Sequence, residues 1–80
     1  MHELGLARNI ISIVSEHARQ QPVSRVRLVL GPGACVEPQS LAFCFKVIGE
    51  GTVVDGAALE IIPGQGDEFI IKDFDIEEAV

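Results

Sequence analysis

From Leu4 onward the apolar positions recur every three or four residues. Leu4, Ala7, Ile11, Val14 and Ala18 form a stripe, with Ile10 beside it. That period predicts a helix over 4–20, because residues so spaced share one helical face. Arg8, Ser12, Ser15, Glu16 and Arg19 supply the wet side, and Pro22 closes the element. The period then drops to two. Val26, Leu28 and Leu30 alternate with Arg25 and Arg27, which predicts a strand over 25–30 in a sheet covered on one face. Gly31-Pro32-Gly33 ends that strand.

Helical spacing returns after Pro38, a residue suited to a first helical position. Leu41, Cys44, Phe45 and Ile48 make the expected buried stripe, Phe43 and Val47 broaden it, and Gly49 and Gly51 stop it. A second strand is predicted over 57–62, with Leu59 and Ile61 inward. Pro63-Gly64-Gln65-Gly66-Asp67 then reads as a turn. The third strand, 68–77, slips phase: Phe69 and Ile71 share one face, Phe74 and Ile76 the other. The slip near Lys72 and Asp73 implies a bulge or a change of cover. The last two strands are expected to pair as an antiparallel hairpin about the 63–67 turn.

The order is therefore helix-strand-helix-strand-strand. The compact solution is an α+β fold, one small domain over 1–80, with a three-stranded mixed sheet and two helices on its one apolar face. A crossover from the first strand to a parallel second one would be right-handed. At 80 residues the chain sits near the lower end of what one core can stabilise.

Composition narrows the function classes. The net charge is −6 with only six Lys and Arg, so phosphate backbones are poor partners and nucleic acid is not expected. No apolar run approaches a membrane span, and Met1-His2-Glu3 does not open a secretory signal, so a cytoplasmic address is expected. The acids Asp67, Glu68, Asp73, Asp75, Glu77 and Glu78 read as a solvated strand edge that discourages association; their spacing is not that of a calcium loop. Cys35 and Cys44 form no C-x-x-C pair. Two thiols alone make neither a structural zinc site nor a disulfide framework.

The chemistry concentrates at the start. In Met1-His2-Glu3 a terminal amine, backbone amides and an imidazole lie within chelating reach of one another. Nitrogen donors in a plane suit Ni(II) or Cu(II). Backbone amides must lose protons to join, so affinity should rise with pH. Against this stands the plain reading, in which a terminal His is a frayed surface residue and Glu3 serves the positive end of the helix dipole. His17 suits a cation at a helix C-terminus, and at 1.5 Å per residue it lies on the order of 20 Å from His2, too far to share a metal. Glu37 stands where a helix cap belongs, although Asp, Asn, Ser or Thr would cap better. Its structural and metal-facing readings stand equal. Cys44 reads as a small core hydrophobe, and Cys35 lacks a nearby base in sequence. An enzyme built on it ranks last, and no catalytic residue is assigned.

Met1-His2-Glu3-Leu4, Leu6-Ala7, Ile10-Ile11, Val36-Glu37-Pro38 with Leu41, Phe43 and Phe45, and Gly56-Ala57-x-Leu59-Glu60-Ile61 resemble the HypA/HybF family of hydrogenase nickel-incorporation proteins. So does the ending Phe69-Ile70-Ile71-Lys72 with Ile76-Glu77. The resemblance implies a nickel metallochaperone of the maturation machinery for [NiFe]-hydrogenases or a related nickel enzyme. It implies a HypB-like GTPase and the hydrogenase large subunit as partners. Met1, His2 and Glu3 would hold Ni(2+) through the amine, the imidazole and backbone nitrogens, and Glu37 matches an acidic position sometimes placed near the metal. The family's zinc lobe of two C-x-x-C pairs is missing; the turn at 63–67 stands in its place, so no zinc is expected. Lys46 falls where the family tends to carry an acid. The alternative is a metal-free interaction module or regulator that docks a hydrogenase subunit or competes with a full-length chaperone. Exposed sheet edges allow a homodimer in either case.

Overall fold

The computed structural model describes residues 2–78. The elements are α1 (Glu3–Ala18), β1 (Val23–Leu30), a short 3-10 turn (Pro32–Ala34), α2 (Pro38–Ile48), β2 (Ala58–Pro63) and β3 (Phe69–Ile76). Helix α1 ends two residues before the predicted limit. Arg19 and Gln20 both turn left-handed (φ 54° and 69°), and Pro22 lies just beyond.

The sheet is mixed, in the order β2-β1-β3. Strand β1 pairs parallel with β2, Val26 opposite Leu59 and Leu28 opposite Ile61. It pairs antiparallel with β3, Val26 opposite Phe74 and Leu30 opposite Phe69. The expected β2–β3 hairpin is therefore incorrect. The two strands do run in opposite senses, but β1 lies between them. The connection at Gly64–Glu68 does not fold back on β2; it bridges the end of β1. Gly31 N–H donates to the Glu68 carbonyl at 2.8 Å and Gly33 N–H to the Gly66 carbonyl at 2.6 Å. A Cβ on Gly31 would sit 2.4 Å from the Gly66 carbonyl oxygen, so this crossing requires glycine there.

The phase slip in the last strand is a bulge. Arg27 faces Asp73 and Leu28 faces Ile71, leaving Lys72 as the extra residue. Phe69, Ile71 and Phe74 thereby all pack against the core. A second irregularity, between Val23 and Arg25, lets Val23 and Val26 both be buried.

Both helices cover one sheet face, α1 on the β3 side and α2 on the β2 side, and they pack on each other. Ala7, Ile10, Ile11, Val14 and Ala18 of α1 meet Val26 and Leu28 of β1 and Leu41 and Phe45 of α2. Three positions depart from the predicted stripes. Leu4 is 49% exposed, because Glu3 takes the inward place in the first turn. Phe43 is 68% exposed and Val47 46%, since α2 buries only the side carrying Leu41 and Phe45. Val54, in the turn-rich stretch before β2, is buried instead, next to the Val53 carbonyl that accepts from Val23 N–H at 2.8 Å.

Candidate metal site at the start of the first helix

His2 is the N-cap of α1, with φ −108° and ψ 17°, and its side chain is exposed. Its carbonyl accepts the first helical hydrogen bond, from Leu6 N–H at 3.0 Å. The N–H groups that open a helix have no acceptor within it. Main-chain nitrogen there can change partner without breaking the helical ladder. Met1, the expected amine donor, lies outside the described residues.

Glu3 behaves differently from its neighbour. It is the one buried charged residue among those described, 8% exposed. Its Oε2 accepts from Glu37 N–H at 3.1 Å, across 34 positions of sequence. That bond, helped by Glu3's own N–H, holds its carboxyl well below the usual range, at about 2, while burial opposes the shift. The acid expected to serve the helix dipole thus also ties the head of the chain to the start of α2.

Glu37 itself is the N-cap of α2. It has extended backbone (φ −85°, ψ 114°), and its Oε1 accepts from Ser40 N–H at 2.8 Å. Pro38 follows at the first helical position. The structural reading of Glu37 is met by this cap. His2, Glu3 and Glu37 therefore belong to one neighbourhood, joined by the Glu3–Glu37 contact. Among the described residues no group of three His, Cys, Asp or Glu side chains comes together as a metal cage.

The other candidates lie elsewhere. His17 is in the last turn of α1, where Nδ1 sits 3.2 Å from the Ile13 carbonyl. Cys44 is half-buried against the core and unpaired as a thiol. Cys35 is exposed, in a left-handed conformation (φ 58°), with Sγ 3.6 Å from the Gly33 carbonyl.

Sequence reasoning missed a charged ladder on the open sheet face. Arg27 reaches Asp73 at 2.8 Å, Asp75 at 3.0 Å and Glu60 at 3.4 Å. Arg25 adds a looser contact to Glu60 at 3.7 Å. The two aspartates are not simply a solvated edge; they neutralise the central strand. The signal was present as two alternations of opposite charge, Arg25-x-Arg27 and Asp73-x-Asp75. Matching them would have placed β3 beside β1.

No described helix is long and apolar enough to cross a membrane. The family model for hydrogenase/urease nickel incorporation, metallochaperone, HypA, matches residues 1–68. A hydrogenase maturation factor HypA from Nostoc punctiforme is 47% identical over 68 residues, covering 82% of this chain and 60% of the relative. The HypA of Rippkaea orientalis is 50% identical over 62 residues, covering 78% and 54%. The chain thus spans about 60% of the length of such relatives. Among solved structures, the Ni metallochaperone HypA from Helicobacter pylori superposes with a TM-score of 0.70 at 25% identity, covering 80% of this chain and 58% of that one. A second HypA solution structure gives a TM-score of 0.78 and covers 96% and 97%; at 16% identity it speaks for the fold alone. With 68 of its residues inside the family model, two relatives near half identity and the same helix-and-sheet frame, this chain belongs to the HypA family of nickel-incorporation metallochaperones.

Proposed function

We propose that this chain carries Ni(2+) on its head, with Met1 as amine donor, His2 as imidazole donor and the backbone nitrogens of His2 and Glu3 completing a planar set. It delivers the metal to a [NiFe]-hydrogenase or related nickel enzyme and catalyses no bond change. The observation that carries the reading is His2, exposed at the cap of α1 within the stretch the family model covers. The three-residue head is short and closes small chelate rings, so little chain entropy is lost on binding. Glu3's carboxylate is turned inward, which leaves its main-chain nitrogen as the natural donor and its side chain as an anchor. Glu37, beside the anchor, is the acidic group best placed to lend charge. The working partners on this reading are a HypB-like GTPase and the hydrogenase large subunit. On this reading the turn at 63–67 takes the place of the zinc lobe, and no zinc is expected.

Titration of the untagged chain with Ni(II) at mildly alkaline pH tests this. The native head should develop the yellow absorption of planar nickel, more strongly as pH rises and amides release protons. His2→Ala and N-terminal acetylation should each weaken binding by more than about tenfold, because each removes one of few donors. Equal behaviour of the three forms would leave a metal-free docking module in place of a carrier.

A further inference from the structure

Strands β1 and β2 are parallel and joined through α2, so their carboxyl ends and the helix start meet at one end of the fold. Open α/β sheets seat ligands at the carboxyl ends of parallel strands, and this small mixed sheet has one such pair of ends. Here lies a notch of about 440 Å³ lined by Leu30, Pro32, Val36, Pro38, Ile61 and Pro63, with Gly31 and Gly64 between them. Prolines and the glycine-gated crossing of residues 64–68 fix its walls before anything binds, which lowers the ordering cost of association.

Its rim is acidic. Glu37 lies between the wall residues Val36 and Pro38 and carries an exposed side chain. On the other side the Glu68 carbonyl accepts from Gly31 N–H, and its carboxylate Oε1 accepts from Gln65 N–H at 2.7 Å, next to Gly64 of the notch lining. No Lys or Arg occurs between Arg27 and Lys46, or between Lys46 and Lys72, so both segments that build the notch lack cations. Apolar walls, and rim segments that carry carboxylates but no Lys or Arg, complement an apolar side chain flanked by basic residues. The notch also adjoins the Glu3–Glu37 tie, next to the head where metal would be handed on.

We propose that this notch docks an extended segment of a partner protein, anchored by one aliphatic or aromatic side chain with Lys or Arg beside it. Its use in metal transfer rests on the carrier reading; the docking itself does not. Seating a partner there brings the recipient's own ligands alongside His2.

The test uses the full chain labelled with ¹⁵N and a panel of blocked hexapeptides. Each peptide sets one Leu, Ile, Met or Phe between lysines, and a matched series has glutamates instead. At least one lysine peptide should shift the amides of Gly31, Val36 and Gly64, and the glutamate series should bind about three- to tenfold more weakly. Pro32→Lys, at an exposed position of the notch lining, sets a cation against the peptide's own and should weaken the lysine peptides by a similar factor. Val36→Ser, which trims one wall without altering the backbone, should do the same through lost apolar contact. His2→Ala should leave peptide binding unchanged while weakening nickel binding, which separates failure of the docking site from failure of the carrier reading. The proposal is overturned if no peptide shifts these amides, if both charge series bind alike, or if neither variant changes binding. Shifts centred on Phe43 and Val47, or on the open sheet face, overturn it too.

Discussion

Leu28 and Arg27 are neighbours on β1, yet they point to opposite sides of the sheet and meet opposite physics. Leu28 is fully buried between the two helices and the flanking strands. Arg27 stands on the open face among Asp73, Asp75 and Glu60, whose side chains remain about half exposed. On the inner face stability comes from area removed from water and from close packing, which salt barely touches. On the outer face it comes from charge pairs in a high-dielectric setting, which salt screens and which contribute little one by one. The strand is thus held to its neighbours by burial on one side and by charge matching on the other, and the second mostly fixes who pairs with whom.

The strongest way to break the inner face is Leu28→Ala. It removes a central side chain from a core with few alternatives for collapse, and should cost about 2–5 kcal/mol. For a domain of this size that is a large part of a total of order 5–10 kcal/mol. Urea unfolding should show a much lower midpoint. A loss under about 1 kcal/mol would mean that the helices close over the cavity and that the inner face is far softer than its packing indicates.

Much of this frame was legible in the sequence. The helical stripe from Ala7 to Ala18, the alternation in β1 and the phase slip at Lys72 all come from short-range period, which local geometry imposes. What escaped depended on contacts between distant segments. Strand order was misjudged because the Pro63–Asp67 turn signal looks the same whether the chain folds back or bridges over a strand. The carboxylate of Glu3 looks in sequence like an ordinary first-turn acid, because its partner, Glu37 N–H, lies 34 residues away and is a backbone group with no mark in the sequence. Leu4 and Phe43 fit the apolar stripes yet are exposed, because hydropathy says which residues can be buried, not which side of a helix finds cover. His2 is a candidate ligand by its place in the chain alone, and the structure adds what that does not show: its neighbour is an anchor bound to the start of α2.

Acid should sharpen the comparison next. Glu3's carboxyl is held near 2 by Glu37 N–H, against an ordinary value of 4.5. Asp75 is lowered too, by its hydrogen bonds to Arg27. Both groups take up a proton more readily in the unfolded chain, so their contributions are complete above the ordinary carboxylate range. Glu3's contribution is lost as pH falls from about 4.5 towards 2, and Asp75's as pH falls below its ordinary 3.8. Melting temperature should therefore decline over that window. Glu3→Gln, whose amide oxygen can still accept from Glu37 N–H, should flatten the decline while keeping the fold. Asp75→Asn should flatten it less, because its side chain is about half exposed and solvent screens the pair. An unchanged acid profile in Glu3→Gln would show that the tie to α2 contributes little in solution.

The smallest effect is expected on the outer face. Arg27→Gln removes the cation shared by Asp73, Asp75 and Glu60 and leaves three carboxylates facing one another without it. At low ionic strength the melting temperature should fall by less than in Leu28→Ala, since the side chains are exposed and the pairs are individually weak. The cause is like-charge repulsion, so molar NaCl, with a screening length near 3 Å, should recover most of the deficit. The same salt should leave the Leu28→Ala deficit in place, because an empty volume in the core carries no charge to screen. If salt rescues neither variant, Arg27 supports the sheet through the packing of its stem across β1, and the two faces of the strand differ less than their chemistry suggests.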